Sequence, residues 1–224
     1  MSPYQIECID LNKHFVSKSN TVTVLQDINL GIIQNEIVLI KGRSGAGKST
    51  LLNLMSGLIR PTSGKVVINN MCINEISDRS LSKLLSGNIG IIFQSFNLLP
   101  TYTIYENIEI ALVPKEPDKT EMKQNIMTLL DQFNLRDKSH LLPSELSIGQ
   151  QQKVAVIRTL AKQPSIIFAD EPTGSVDSQT AGEILEYLIN LKRKRSVTIV
   201  VATHGNVPEK FADKVIILEN GKLK

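Results

Sequence analysis

The sequence predicts an α/β fold with a mainly parallel sheet and an inserted helical lobe. Short runs rich in Val and Ile, such as "IVLI", "IIFA" and "IVVA", recur without polar alternation. Runs of this kind are typical of strands covered on both faces, as in parallel sheets. Helical stretches lie between them, and the strand pattern is absent from residues 97–163. These observations indicate one α/β domain rather than an all-β or all-helical chain.

The strands follow in order along the chain. We predict them near residues 5–12, 23–31, 36–40, 65–68, 89–93, 166–169, 198–202 and 214–218. Tight turns are predicted at 69–71 ("NNM") and at 219–222 ("ENGK"), the second closing a terminal hairpin after which we expect no regulatory domain.

The domain organisation follows from the same pattern. We expect a single domain over 1–224, with a core from about 1–96 and 164–224 and a helical subdomain over about 97–163. Within that subdomain, helical segments are predicted near 121–133 and 149–162.

Composition narrows the function classes. The N-terminus lacks the apolar core of a signal peptide, and the apolar runs are far shorter than the ~20 residues of a membrane-spanning helix. Cys8 and Cys72 are too few for a disulfide framework or a zinc site, which favours a reducing cytosol. The basic run 192–195 ("KRKR") lies near the end of a predicted helix without interleaved aromatics. We therefore expect no nucleic-acid partner.

A glycine-rich phosphate loop, "GRSGAGKST", follows the strand at 36–40 and precedes a helix. It fits G-x-x-x-x-G-K-[ST], in which backbone N–H groups and the helix N-terminus surround phosphate oxygens. Lys48 would reach the β- and γ-phosphates, Ser49 would bind Mg²⁺, and Thr50 would contact the inner phosphates. The remaining predicted nucleotide-binding residues of this loop are Gly42, Ser44, Gly45, Ala46 and Gly47. The expected cofactors are ATP and Mg²⁺.

Polar side chains at three strand ends are the candidates for catalysis. Asp170 and Glu171 follow the strand "IIFA", which suits Asp170 to hold Mg²⁺ and Glu171 to act as general base for the attacking water. His204 ends the strand "TIVVATH", from where it could reach the γ-phosphate. Gln94 follows "IGIIF" and could contact Mg²⁺ or the attacking water. Alone, adjacent acids, a single His or a single Gln would most often be structural or solvated.

A second anion site is predicted at the start of the helix near 149–162. Ser147 and Gln150 form an S-x-x-Q capping box, and Gly149 leaves room for a ligand near the first-turn amides. A well-capped helix without a ligand explains this segment equally well when it is taken alone.

The order of these segments resembles the ATP-binding cassette (ABC) ATPases. The matching segments are "GRSGAGKS" (phosphate loop), "FQ" with Gln94 (glutamine loop), "LSIGQQQKVAVIRTL" (signature helix), "IIFADEPTG" (Mg²⁺ strand), "SVDS" with Asp177 (D-loop) and "VVATH" (switch histidine). The resemblance implies a RecA-like P-loop NTPase core sheet with an N-terminal antiparallel β region and an inserted α-helical subdomain. It further implies that Phe15, where Tyr is more usual, stacks on adenine.

In this family, two cassettes pack head to tail, and each ATP lies between one chain's phosphate loop and the other chain's signature helix. The resemblance therefore implies two partners, a second ATPase chain that forms a homodimer and a transmembrane permease subunit. It places the chain peripherally on the cytoplasmic side of the inner membrane, and in the cytosol when isolated. Two residues depart from the pattern: Ile148 replaces Gly in the signature, and Gly205 replaces Asp after the histidine. We expect the chain to retain ATPase activity with Ile148 in the signature.

Segments 93–112 and 169–178 are most similar to the lipoprotein-release and macrolide-exporter ATPases, which drive a separate membrane protein by mechanical transmission. The resemblance therefore implies that ATP-driven dimerisation and ATP hydrolysis power a separate permease for export or lipoprotein release. The alternative within the family is the cell-division branch, which regulates wall hydrolysis without transport. DNA-repair and translation ATPases are less consistent, because the chain has neither long heptad repeats nor a duplicated cassette. A small-molecule kinase with a phosphate loop would not need the signature helix.

Overall fold

The computed structural model describes residues 2–17, 20–113, 118–205 and 207–224, which form two sheets and six α-helices. The antiparallel sheet has the order β2-β1-β4-β5 and contains β1 (Ile6–Ser17), β2 (Asn20–Ile32), β4 (Ser63–Ile68) and β5 (Met71–Cys72). The second sheet has the order β10-β9-β3-β8-β7-β6. It contains β3 (Ile37–Lys41), β6 (Ile89–Ile92), β7 (Ile166–Asp170), β8 (Thr198–Thr203), β9 (Lys214–Glu219) and β10 (Lys222–Leu223).

The five longer strands of the second sheet pair in parallel, which confirms the predicted fold class. Alternate side chains of β3 enter different hydrophobic clusters. Val38 and Ile40 pack towards the antiparallel sheet and the first helix, whereas Ile37 and Leu39 pack towards the other helices. Both faces are therefore covered, as the unbroken apolar runs indicate.

Strand β9 is the exception to two-sided burial. Ile216 and Leu218 are buried, but Val215 and Ile217 are 37% and 50% exposed. The prediction that all the apolar runs are covered on both faces is therefore wrong for β9. Among the strands of the described residues, only the two-residue β10 lies beyond it, so β9 is near the edge of the sheet.

The helices are α1 (Lys48–Met55), α2 (Asp78–Gly87), α3 (Ile104–Glu109), α4 (Lys119–Gln132), α5 (Ile148–Ala161) and α6 (Ser178–Arg195). Short 3₁₀ turns occur at Arg136–Lys138, Pro143–Glu145 and Glu209–Phe211. Helices α3 to α5 lie between β6 and β7 in the chain, where the strand pattern is absent. Within the described residues, no helix is both long and apolar enough to cross a bilayer.

Some local predictions are confirmed and others fall short. The turns at Asn69 and Asn70 (φ +49° and +63°) and at Asn220 and Gly221 (+50° and +76°) have the left-handed backbone of two-residue hairpin turns. Strands β1 and β2 extend beyond their predicted ends. The sequence does not predict these added hairpin residues as strand because they are mostly exposed and lack an apolar pattern. Helix α2 carries no fully buried residue and α3 has only six residues, and neither is predicted from the sequence. Helix α2 is nevertheless amphipathic, since it packs partly buried side chains against the core, namely Leu81, Leu84 and Leu85.

Buried Asn107 on α3 organises the loop that follows β6. Its Oδ1 accepts from Leu99 N (2.7 Å), and its Nδ2 donates to the carbonyls of Leu99, Tyr102 and Thr103 (3.1, 2.9 and 3.0 Å). The fully buried Asn107 amide thus satisfies backbone groups of this loop that regular secondary structure would otherwise pair.

We predict that Asn107→Ala lowers the free energy of unfolding by about 2 to 3 kcal/mol, because buried loop groups lose their partners. Urea unfolding midpoints measure this, with Asn190→Ala on the exposed surface of α6 as the control. Equal midpoints for the two variants would contradict the assigned role of Asn107.

Candidate functional site

A cleft of about 370 Å³ opens at the carboxyl edge of the parallel strands. Its lining residues come from β2, the β3–α1 loop and α1, and the segments after β6, β7 and β8. They are Val24, Ser44, Gly45, Gly47, Lys48, Ser49, Thr50, Gln94, Glu171 and His204. The fold therefore brings most of the sequence-predicted phosphate and catalytic residues together in one place.

The phosphate loop has the geometry of an anion site. Gly47 caps α1 with a left-handed backbone (φ +100°), so that the N-terminus of α1 meets the loop at the cleft. Lys48 is 7% exposed, and its Nζ donates to the carbonyls of Gly42 (2.9 Å) and Arg43 (3.1 Å). The ammonium group thus lies inside its own loop, where it adds positive charge to the backbone donors.

Gly42 and Ala46 belong to the loop but do not line the cleft. At Gly42 a Cβ atom would lie 2.3 Å from the carbonyl oxygen of Leu218 on β9, so this glycine permits the loop to pack on the sheet. Its requirement is steric rather than a contact with ligand.

Asp170 has the properties expected of a metal ligand. Its Oδ1 is buried without a hydrogen-bond partner. Burial raises the pKa of the Asp170 carboxyl, and Glu171 adds to the rise, whereas Ser49 and Lys48 oppose it. Among the described residues there is no cluster of three His, Cys, Asp or Glu side chains. A single carboxylate with a hydroxyl and water fits Mg²⁺, which keeps several waters.

Glu171 and His204 form a direct pair in the cleft. His204 Nδ1 lies 2.7 Å from Glu171 Oε1, with the His204 side chain 52% exposed and that of Glu171 9% exposed. Glu171 has a left-handed backbone (φ +47°), fixed by its N–H, which donates to the carbonyl of Ala202 on β8. The carboxylate is therefore oriented by its neighbour and by the ends of two strands.

Gln94 lines the cleft with an exposed side chain, whereas Phe15 does not line it. Phe15 is 47% exposed on β1, opposite Val22, and Lys13 Nζ lies 4.8 Å from its ring centroid. Val24 on β2 contacts the cleft instead. No motif singles out Val24, because its role depends on the packing of the hairpin beside Gly47.

The predicted second anion site lies outside this cleft. Ser147 caps α5, accepting from Gln150 N (3.3 Å), while Ser147 N donates to Gln150 Oε1 (3.0 Å), so the capping box forms. Ser147 and Ile148 are exposed. The cleft-lining residues include none of Ser147, Gly149 and Gln150.

The N-terminus of α5 packs against the N-terminus of α6. A Cβ atom at Gly149 would lie 3.3 Å from Thr180 Oγ1 and 3.7 Å from Asp177 Oδ2. Asp177 caps α6 through Thr180 N (2.9 Å) and Thr180 Oγ1 (2.8 Å), and these bonds lower the pKa of Asp177. The packing of α5 on α6 within the same chain therefore favours a glycine at position 149, and the sequence pattern does not reveal this.

A second link joins the same two helices. Lys153 Nζ lies 2.5 Å from Glu183 Oε2, and this pairing lowers the pKa of Glu183. Ser147 and Asp177 thus lie on one surface formed by α5 and α6. Sequence reasoning missed Lys153 and Glu183, since nothing in the pattern shows that these helices meet.

Comparisons with known proteins agree with this arrangement. A family model described as ABC transporter matches residues 25–174. The ABC transporter ATP-binding protein YtrE of Bacillus subtilis is 43% identical over 207 residues, covering 92% of this chain and 90% of YtrE. The methionine import ATP-binding protein MetN of Aliivibrio fischeri is 39% identical over 219 residues, covering 97% of this chain but only 63% of MetN.

The fold is also that of a known cassette. A dimeric structure of MJ0796, an ABC transporter cassette, matches with a TM-score of 0.93 and 36% identity, covering 98% of this chain and 96% of that one. MJ0796 comes from Methanocaldococcus jannaschii. A second dimeric structure, of a post-hydrolysis state of MJ0796 bound to ADP and Pi, matches with a TM-score of 0.93 and 35% identity, with the same coverage.

We predict that Asp170→Asn stabilises the nucleotide-free protein in EDTA at neutral pH, because the amide removes a buried charge. Because the side chain is only partly buried, solvent screens part of this effect, and the expected rise in melting temperature is at most about 2 to 4 °C, the shift that about 1 kcal/mol gives in a chain of this size. Since the pKa of Asp170 is raised, the folded state is disfavoured above the ordinary Asp pKa and not below it. The difference between variant and wild type should therefore vanish as the pH falls below that range, and a difference that grows on acidification would contradict this account.

Proposed function

This chain belongs to the ABC transporter ATP-binding family, and on that premise we propose that it hydrolyses ATP as the nucleotide-binding subunit of a membrane transporter. The observation that carries the proposal is the pair of Glu171 and His204, 2.7 Å apart beside the phosphate loop. A phosphate loop alone would explain nucleotide binding but not hydrolysis. A buried carboxylate oriented by an imidazole adds a base for the attacking water.

The proposed roles follow from position. Lys48 exchanges its contacts with the loop carbonyls for phosphate oxygens when ATP enters. Glu171 accepts the proton of the attacking water, and His204 holds that carboxylate and contacts the γ-phosphate. Ser49 and Asp170 would hold Mg²⁺, with Gln94 beside them. When bound, this ion would neutralise charge on the β- and γ-phosphate oxygens.

We further propose that two copies complete each other's sites. The cleft is open to solvent, and the capped N-terminus of α5 lies outside it with Ser147 and Ile148 exposed. Helix N-termini favour anions, so the Gly149 amide and the Ser147 hydroxyl would bind the γ-phosphate held by a second chain, with Gln150 beside them in the capping box. Asp177, packed against the same helix start, would lie at the same seam. The dimeric state of the similar cassette MJ0796 supports this arrangement.

Three finer assignments belong to the same proposal. Phe15, which is exposed on β1 and does not line the cleft, stacks on adenine. Ile148 is 57% exposed on the first turn of α5, so it alters the surface between copies without disturbing the core. The residues 97–163 act as a helical subdomain on a core formed by 1–96 and 164–224.

A membrane permease is the proposed partner. A second cavity of about 300 Å³ lies beside the loop after β6, with a mainly apolar lining that includes Leu58, Leu85, Ile91 and Phe93. A helix of the permease would dock there and along residues 95–103, and this chain would then lie peripherally on the cytoplasmic side of the membrane. The similarity of segments 93–112 and 169–178 favours a permease for export or lipoprotein release, although similar chains include a methionine import protein.

We predict that Glu171→Gln reduces ATP turnover at least about 100-fold, because a general base typically contributes 10² to 10⁴ in rate. ATP binding should persist, so the variant should accumulate as an ATP-dependent dimer. Steady-state turnover and light scattering after size exclusion, each with Mg²⁺, measure the two effects.

The matched control for this test is Glu186→Gln on the exposed surface of α6, which should behave as wild type. A Glu171→Gln variant that turns over ATP at the wild-type rate would contradict the proposed role of Glu171 as general base. A variant that binds ATP yet stays monomeric at all concentrations would sink the proposed pairing of copies.

A further inference from the structure

Arg158 on α5 binds the backbone of the loop that carries Gln94. Its Nη1 donates to the carbonyl of Asn97 (2.5 Å), and its Nη2 donates to the carbonyl of Phe96 (2.6 Å). The guanidinium is partly buried, and burial lowers the pKa of Arg158. These two short bonds use the planar fork that distinguishes Arg from Lys.

The bound segment has an unfavourable backbone. Phe96 and Asn97 are consecutive residues with left-handed φ angles of +58° and +50°. Asn tolerates this conformation, but a bulky residue such as Phe does so rarely, and it persists only where surrounding contacts fix it. The local bonds lie within residues 93–97: Phe96 N donates to Phe93 O at 3.4 Å, Asn97 N donates to Ser95 O at 2.5 Å, and Ser95 Oγ donates to Asn97 Oδ1 at 2.9 Å. The two carbonyls held by Arg158 supply the long-range contact.

Gln94 lies two residues before this segment and lines the nucleotide cleft. Its position therefore depends on how the chain turns at Phe96 and Asn97. Helix α5 is itself fixed on β6, because Thr159 Oγ1 donates to the carbonyl of Ile91 at 2.9 Å. Arg158 thus links a fixed helix to residues 96 and 97 of the loop that follows β6.

We propose that Arg158 is a positioning residue for Gln94, holding the 96–97 turn so that the Gln94 amide faces the nucleotide. This inference rests on the proposed ATP hydrolysis. Arg158 also lines the second cavity, together with Asn97. A partner segment that enters that cavity would therefore contact the group that sets the position of Gln94.

Arg158→Lys tests the proposal, because Lys keeps the charge and the stem but cannot donate two parallel bonds. We expect kcat to fall at least about tenfold, as a small misplacement of a contributing group can cause, while the Kd for ATP changes less than about twofold. The control is Arg136→Lys, at an exposed site of the same lobe, which should leave both constants unchanged.

A double variant separates positioning from general damage. If Arg158 acts through Gln94, adding Arg158→Lys to Gln94→Ala should change kcat by less than about twofold, since the two losses are not independent. Multiplication of the two losses would overturn the proposal.

Amide hydrogen exchange gives a readout that needs no catalysis. In the nucleotide-free protein, Arg158→Lys should speed exchange at Phe96, Asn97 and Leu99 at least about tenfold, without changing α4. Unchanged exchange in the loop would overturn the proposal even if wild type proves inactive. If the wild-type protein shows no ATP turnover but Arg158→Lys still speeds amide exchange in the loop, the result would count against the proposed function and not against the role of Arg158.

Discussion

The parallel register of β3, β8, β7 and β6 is the constraint on which the site depends. Lys41 pairs with Thr203, Asp170 with Ala202, and Ala169 with Ile92, so the four strands end at nearly the same level. Parallel strands place their carboxyl ends at one edge, and each end here leads into a segment that carries chemistry. Because apolar residues cover both faces of these strands, the edge cannot shift without exposing the core. Hydrophobic packing thus sets the geometry of the proposed site.

Helix α5 connects the parts of the molecule that the chemistry requires. Its first turn presents a capped N-terminus at the surface, its middle is buried, and its last turns reach β6 and the following loop. A rigid helix transmits displacement from one end to the other, since its backbone bonds are internal. In the proposed dimer, the same helix would contact the partner's nucleotide at one end and set the position of Gln94 at the other.

Much of the fold and of the site can be predicted from the sequence, for identifiable reasons. Strand order along the chain follows from the apolar runs, and the phosphate loop, Asp170, Glu171 and His204 are recognisable because they end those runs. Contacts between distant segments have no such signal. The packing of Gly149 on Thr180, the ion pair of Lys153 with Glu183 and the exposed face of β9 depend on the relative placement of elements, which local patterns do not encode.

Mixing two defective variants tests most directly whether each site is shared between copies. Lys48→Ala disables the phosphate loop but keeps α5, whereas Ile148→Glu keeps the loop and places a negative charge on the exposed first turn of α5, where Glu suits the helix but repels phosphate. Each variant alone should turn over ATP poorly. An equimolar mixture should approach about a quarter of the wild-type rate under random pairing, because half the dimers then hold one intact composite site. A mixture that merely averages the two separate rates would contradict the account.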